Sequence, residues 1–269
     1  MLKVNDIYEY MQSIAPEEMA YDTDNVGLLV GNADNEVSKI LVSLDITSDV
    51  ISEAIEIGAE LIVSHHPIFK QHSINKITNT DITGKKIIRM LSGGISAICM
   101  HTNLDAVRGG VNDALAIAVG IADDEKEAQP LSDSVRLKNG DIVSLGRVGY
   151  LKKPCKMPVY LEKLKTALKA NGLRYYDSGN DVHKVAVASG SGGAQWENVI
   201  KSGCDTFVSA EIIYHMFIEA KERGLNVIDA GHFSTENPIT AVLHKKLSAE
   251  FPDTKVIISK THHQIIKFF

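Results

Sequence analysis

Cysteine and long apolar runs are scarce in this chain of 269 residues. Its three cysteines, Cys99, Cys155 and Cys204, are far apart and form no CxxC motif, which argues against a disulfide framework or a thiolate zinc site. No apolar run approaches the roughly 18 residues that a membrane-spanning helix requires. The first residues, MLKVNDIYEYMQ, are charged and typical of a helix, not of a signal peptide. The sequence therefore predicts a soluble, cytoplasmic protein with no membrane partner.

An excess of positive charge is also missing. The formal net charge is −6, which argues against a broad nucleic-acid-binding surface, so nucleic acid is not an expected partner. Hydrophobic residues make up 44% of the chain and charged residues 23%, as in ordinary globular proteins. The length is sufficient for one large domain or two modest ones with a well-buried core.

Apolar strand-like segments alternate with amphipathic helical segments along most of the chain. KILVSL is followed by the helical DITSDVISEAIEIG, and AELIVSHH is the next strand. This alternation predicts an α/β fold with mostly parallel sheets. The polar and acidic ADDEKEAQPLSD marks the boundary between a first α/β half, residues 1–125, and a second, residues 126–269. The pattern resumes in HKVAVAS, without an inserted middle domain.

The second half repeats part of the first. Residues 39–66 align with residues 184–211 over 28 positions without a gap, and Gly58 and Gly203 end the two predicted helices. Downstream, GISAICMHTNLD resembles GLNVIDAGHFSTE, since each segment has a glycine, a strand, a histidine and an acid four residues later. The repeat is short and degenerate, but it favours two similar α/β halves related by an internal repeat.

Three clusters of histidine and carboxylate residues follow predicted strands at equivalent places in the two halves. Imidazole and carboxylate suit zinc, iron, manganese or nickel, and a pair of ions needs about five or six such ligands. A single histidine at a strand end is more often a surface or hydrogen-bonded residue, so the recurrence carries the prediction of a metal site between the halves, at the C-terminal ends of strands. The six candidates are His65, His66, His101, Asp105, His232 and Glu236.

The motifs SHHPIFK, HTNLDA and DAGHFSTE, with DNVGLLVG near the start, resemble the Nif-three-like family of dinuclear-metal proteins. Bacterial members of that family are called GTP cyclohydrolase 1 type 2 homologues, and longer members carry an additional domain in the middle. The resemblance spans essentially the whole chain. It implies two divalent ions per subunit between two similar halves, and a toroidal homohexamer. The ligands that it implies are His65, His66, Asp105, His232 and the bridging Glu236, with His101 as a second-shell residue or an extra ligand.

A glycine-rich turn, ASGSGG, lies between a predicted strand and a helix at residues 188–193. Backbone N–H groups at such a turn can bind a phosphate, and the candidates are Ser189, Gly190, Gly192 and Gly193. The turn lacks the GK[ST] of a P-loop. A tight turn that allows close helix packing is the alternative that the sequence favours.

Glu211 occupies the position in the repeat that corresponds to His66. We expect His215 one helical turn later on the same face, so that either residue is a candidate catalytic proton shuttle. The alternative is that Glu211 only complements the N-terminus of a helix.

Two classes of function fit these features. The first is a metal-dependent hydrolase, GTP cyclohydrolase-like or a phosphoesterase, that uses metal-activated water on a nucleotide or another phosphorylated or heterocyclic small molecule. The second is a non-catalytic metal-binding scaffold, metal chaperone or regulatory protein. Nitrogen and oxygen ligands accept several divalent ions, so the sequence does not identify the metal.

Overall fold

The computed structural model describes residues 1–131, 135–136 and 142–269. These residues form two compact units. Unit 1 contains Met1–Val107 and Thr240–His263. Unit 2 contains, among the described residues, 108–131, 135–136, 142–239 and Gln264–Phe269.

The strands, in chain order, are β1 (Gly27–Val30), β2 (Lys39–Ser43), β3 (Leu61–Ser64), β4 (Ser96–Cys99), β5 (Gln129–Pro130), β6 (Val135–Arg136), β7 (Ile142–Val143), β8 (Arg147–Cys155), β9 (Arg174–Tyr176), β10 (Val182–Val187), β11 (Thr206–Ser209), β12 (Asn226–Asp229) and β13 (Lys255–Ile258). The helices are α1 (Val4–Ile14), α2 (Ser48–Ile57), α3 (Ile82–Ser92), α4 (Thr102–Ala106), α5 (Val111–Ala118), α6 (Met157–Ala167), α7 (Trp196–Ser202), α8 (Tyr214–Arg223), α9 (His232–Glu236) and α10 (Pro238–Glu250). None of these helices is long and apolar enough to cross a membrane, a finding that covers the described residues only.

The sheet of unit 1 has the strand order β1-β4-β3-β2-β13. The strands β4, β3, β2 and β13 pair in parallel, and β1 is antiparallel to β4 at one edge. The central strands are buried on both faces, since the successive residues Ile40, Leu41 and Val42 of β2 are all fully buried. The carboxyl ends of β2, β3 and β4 therefore lie along one edge of the sheet, which is where the predicted histidines follow.

The sheet of unit 2 has the order β5-β8-β10-β11-β12-β9. Only β10, β11 and β12 pair in parallel, whereas β5, β8 and β9 are antiparallel to their neighbours. The prediction of mostly parallel sheets is therefore right for unit 1 and wrong for unit 2, where the sheet is mixed. Many residues of β8 and β9 are exposed, so each of these strands has at most one buried face. Antiparallel strands tolerate one solvent-exposed face, whereas parallel strands are usually buried on both. A separate two-stranded ladder joins β6 and β7.

The two blocks that align in the sequence have the same local structure, β2-α2-β3 in unit 1 and β10-α7-β11 in unit 2. Gly58 and Gly203 end the helices with left-handed backbones, at φ 66° and 63°. In each block an acidic side chain accepts a hydrogen bond from the backbone N–H of the lysine with which the block begins. The pairs are Glu60 with Lys39 at 2.9 Å and Asp205 with Lys184 at 2.7 Å. Descent of the halves from one repeated unit stays a prediction.

The chain passes from unit 1 to unit 2 after Val107 and returns at Thr240. This division differs from the predicted boundary at residue 125 because two segments pack with the other sequence half. The helix α5 buries Leu115 in the core of unit 2. Most of α10 belongs to unit 1, and β13 extends the unit 1 sheet alongside β2.

A buried carboxylate holds the segment after β13 to helix α2 in unit 1. Glu53 accepts hydrogen bonds from the backbone N–H of Lys260 at 2.9 Å and from the Thr261 hydroxyl at 2.8 Å, and the Ser259 hydroxyl also donates to it. Burial alone would raise the pKa of Glu53, but these hydrogen bonds outweigh it and hold the pKa below its ordinary value.

Unit 2 contains a buried ion pair between Asp113 on α5 and Arg147 at the start of β8. Arg147 is 2% exposed, and its guanidinium contacts both carboxylate oxygens, with Nη2 at 3.2 Å from Oδ2. Asp113 also accepts the backbone N–H of Gly109 at 2.7 Å. Such a pair is costly to break because the remaining charge stays in a low-dielectric interior.

Candidate metal centre

Three histidine side chains of unit 1 meet just beyond the carboxyl ends of β3 and β4. Their ring centroids are 4.9 Å apart for His65 and His66, and 5.2 Å apart for His65 and His101. One nitrogen of each ring lies within 4.8 Å of a nitrogen of the other two. Asp105, near the end of helix α4, places its Oδ1 3.7 Å from Nε2 of His65. The structure thus brings together all four candidates of the first half.

The buried His65 ring is oriented by the backbone. Its Nδ1 is 2.8 Å from the carbonyl oxygen of Met100. A carbonyl only accepts, so Nδ1 donates its hydrogen, and Nε2 is the ring nitrogen that faces the Asp105 carboxylate. An imidazole nitrogen and a carboxylate oxygen that converge at a buried position are ligands of divalent metals, so the donor set fits such an ion.

Two aspartates orient the other rings of unit 1. Asp45 Oδ1 accepts from Nδ1 of His66 at 2.9 Å, and both oxygens of Asp24 lie 2.9 Å from Nδ1 of His101. Burial would raise the pKa of Asp24, but the hydrogen bonds from His101 and Thr102 hold that pKa well below its ordinary value. Asp24 is therefore an ionised acceptor at neutral pH, as expected of a carboxylate behind a metal-ligating histidine.

Both aspartates escaped the sequence interpretation. Asp45 follows β2 as His66 follows β3, so the rule that selected the histidines could have found it. Asp24 lies 77 residues before His101, and no local pattern links the two.

Cys99 does not add a thiolate to this cluster. Burial raises the pKa of its thiol to about 11, so the side chain stays protonated at neutral pH. This agrees with a site built from nitrogen and oxygen donors.

Unit 2 places His232 between two carboxylates. Its Nδ1 donates to Oε1 of Glu211 at 2.8 Å, and its Nε2 lies 3.1 Å from Oε1 of Glu236. His232 and Glu236 are the first and last residues of the short helix α9, so four residues bring them to the same face. Glu236 is only 4% exposed.

The glycine-rich turn packs directly against this carboxylate. A Cβ atom at Gly190 would lie 2.2 Å from Oε1 of Glu236, and the backbone there is left-handed, with φ 56°. Both constraints require glycine. This contact supports the packing interpretation of the turn.

The same turn uses most of its predicted phosphate donors within unit 2. The N–H of Ser189 donates to the Asn112 side chain at 2.9 Å, and the N–H of Gly190 donates to the Thr235 hydroxyl at 3.0 Å. The N–H of Gly192 donates to the carbonyl of Gly190 at 2.9 Å. Of the four predicted residues, Gly193 alone keeps an amide outside these three bonds, so the turn is a poor phosphate site.

The predicted relation between Glu211 and His215 is wrong. Helix α8 begins at Tyr214, and Glu211 lies before it in the left-handed region, with φ 54°. The two residues therefore do not lie one turn apart on one helix. His215 is exposed on α8, and its electrostatic neighbour is Glu219, one turn further along.

Comparisons with known proteins agree with the architecture. A model of the family Duf34/NIF3 (NGG1p interacting factor 3) matches residues 2–265. A GTP cyclohydrolase 1 type 2 homolog of Clostridium acetobutylicum is 36% identical over 99% of this chain and 99% of its own.

Two solved structures are similar over nearly their full lengths. A Bacillus cereus protein related to NIF3 has a TM-score of 0.90 at 22% identity, covering 100% of this chain and 99% of its own, which supports the fold. Reduced HcgD from Methanocaldococcus jannaschii has a TM-score of 0.78 at 31% identity, covering 96% and 98%. With a family model that spans almost every residue and relatives matched end to end, the chain belongs to the Duf34/NIF3 family.

Proposed function

We propose that the protein binds two divalent metal ions and is a metal-dependent hydrolase of a nucleotide or another phosphorylated or heterocyclic metabolite. One observation carries the metal-binding part of the proposal. An oxygen acceptor holds Nδ1 in each of the four histidines of the site, so Nε2 is the ring nitrogen that would bind a metal; they are His65, His66, His101 and His232. A histidine that is only a surface residue does not require an acceptor that fixes its Nδ1, and here each of the four histidines has one.

The proposed ligands are those that the family resemblance implies, with one addition. His101 joins the set because its ring packs against His65 and His66 and its Nδ1 is held as theirs are. The sharing of both ions between donors of the two halves, with Glu236 as the bridging carboxylate, is part of the proposal. The other ligands are His65, His66, Asp105 and His232.

Two divalent ions, when bound, would lower the pKa of water and polarise the bond under attack. The residues of the chain hold the ions and fix the ligand geometry. Asp24 and Asp45 orient the imidazoles of unit 1, which reduces the reorganisation needed to bind metal. Glu211 is engaged by His232, and His215 stays a predicted proton-transfer residue without the helical relation to Glu211 on which that prediction was based.

Metal content per chain tests this proposal first. Protein purified without an affinity tag is compared by elemental analysis with a His65→Ala/His66→Ala variant and with a His183→Ala control, whose ring packs 5.2 Å from that of Tyr150 in unit 2. We expect about two equivalents in the wild type and in the control, and a sharp loss in the double variant. Near-zero content that does not rise after addition of zinc, manganese or iron would overturn the proposal.

Hydrolysis of generic phosphodiester and nucleotide substrates then separates the two classes of function. A hydrolase should show metal-dependent turnover that the double variant lacks. Bound metal with no turnover above the level of the double variant would instead identify a non-catalytic scaffold, chaperone or regulatory protein.

A further inference from the structure

The backbone of Glu211 is held in a conformation that glutamate rarely adopts. Its φ is 54°, in the left-handed region, where a side chain with a Cβ is strained. Two other non-glycine residues among those described, His72 and Lys169, share a positive φ. Strain of this kind persists only where surrounding contacts enforce it, and it concentrates at functional sites.

A buried carboxylate enforces it here. Asp229, 7% exposed at the end of β12, accepts the N–H of Ile212 with Oδ2 and the N–H of Gly231 with Oδ1, both at 3.1 Å. Ile212 follows Glu211 in the chain, and Gly231 precedes His232. One side chain therefore ties together the two loops that carry Glu211 and His232.

Arg174 completes this arrangement from the neighbouring strand β9. Its guanidinium contacts the Asp229 carboxylate and donates to the carbonyl oxygen of Ile212 at 2.9 Å. Ile212, the residue after Glu211, is thus held at both its N–H and its C=O. The loop has little freedom to relax the strain at Glu211.

We infer that Glu211 is a positioning residue, strained so that its carboxylate holds Nδ1 of His232 and directs Nε2 toward Glu236 and a metal ion. The inference rests on the proposed metal-binding function. It replaces the expected proton-shuttle role of Glu211, since the carboxylate acts through the histidine and its distance of 2.8 Å to Nδ1 is that of a charge-assisted hydrogen bond.

Replacement of Glu211 with glycine separates positioning from a purely structural role. Glycine relieves the left-handed strain, so Glu211→Gly should raise the Tm of the metal-free protein. The same change removes the acceptor, so the Kd for zinc should increase by about 10- to 100-fold. A merely structural glutamate would instead give a lower Tm and an unchanged Kd.

Two further variants serve as matched controls. Lys169→Gly relieves the same kind of strain, at φ 50°, at the end of α6, and it should raise Tm without changing the Kd for zinc. Glu211→Gln keeps an acceptor oxygen without the charge, and it should recover most of the affinity that Glu211→Gly loses.

The experiment measures Tm, zinc Kd by chelator competition, and the ¹⁵N imidazole shifts of His232 in the full-length metal-free protein. We expect the Nδ1 shift of the wild type to be that of a protonated, hydrogen-bonded nitrogen, and the Nδ1 of Glu211→Gly to be protonated only in part. An unchanged Nδ1 shift, an unchanged Kd or a lower Tm in that variant would overturn the inference. If neither the wild type nor Lys169→Gly binds zinc, the proposed function fails, while the Nδ1 shift still tests the role of Glu211.

Discussion

Replacement of Gly190 with alanine tests whether the glycine-rich turn sets the position of the Glu236 carboxylate. The added methyl group would lie 2.2 Å from Oε1 of Glu236 and 3.2 Å from Cε1 of His232. A carbon and an oxygen in contact need about 3.3 Å, so the carboxylate must move by roughly 1 Å. Glu236 is buried, and the movement therefore disturbs a packed site instead of displacing a solvent-exposed side chain.

The backbone at Gly190 adds a second cost that must be separated from the first. Its φ is 56°, and an alanine held in the left-handed region loses about 1–2 kcal/mol of stability. Gly203 provides the matched control, because its φ is 63° and no atom lies within 4 Å of an added Cβ. Gly203→Ala therefore loses stability through backbone strain alone, without a steric clash.

Metal titration by calorimetry, with urea unfolding of the metal-free proteins, distinguishes the two contributions. Both variants should lose stability, with the larger loss in Gly190→Ala. Only Gly190→Ala should bind zinc or manganese more weakly, by at least about tenfold, or about 1.4 kcal/mol, because a ligand misplaced by roughly 1 Å exceeds the tolerance of a preorganised site. Equal metal affinity in the two variants would refute the reasoning.

Two further predictions concern stability. Since the pKa of Glu53 is lower in the folded state, its contribution is present above the unfolded pKa of about 4.3 and disappears as the pH falls through the folded value. Glu53→Gln should therefore lower the free energy of unfolding by about 1–3 kcal/mol at pH 7, and by progressively less in acid, whereas the exposed Glu56→Gln should change little. A difference between the wild type and Glu53→Gln that does not vary with pH would contradict this account. Arg147→Met should destabilise unit 2 by about 3 kcal/mol, as measured by Trp196 fluorescence in urea. Addition of Asp113→Asn to the same chain should recover part of this loss. Full stability of the single variant would show that the pair is not buried as described.

The sequence predicted correctly those parts of the fold that depend on a few consecutive residues. The apolar run before His65 and His66 predicts a buried strand that ends at the two histidines, and β3 ends at Ser64. Likewise, the four-residue spacing of His232 and Glu236 predicts one face of a turn, which α9 provides. A strand and a helical turn are properties of a few consecutive residues, so a single sequence suffices for them.

The remainder depended on contacts between distant segments. Asp24 reaches His101 across 77 residues, and the left-handed backbone of Glu211 is imposed by Asp229 and Arg174 from two other strands. The antiparallel partners of β10 and β12 likewise depend on where β8 and β9 return to the sheet. Periodicity and motif spacing do not describe such long-range contacts, because they compare only neighbouring positions.

The return of the chain to unit 1 at Thr240 also affects the order in which the protein can fold during synthesis. The edge of β2 stays without its parallel neighbour until β13 has been made, because β13 ends at Ile258. An unpaired apolar strand edge is a template for association with other chains. While unit 2 is being translated, the nascent first unit therefore exposes this edge of β2 on the ribosome. The edge is covered only after about 150 more residues have been made, and such a long separation in sequence also slows folding.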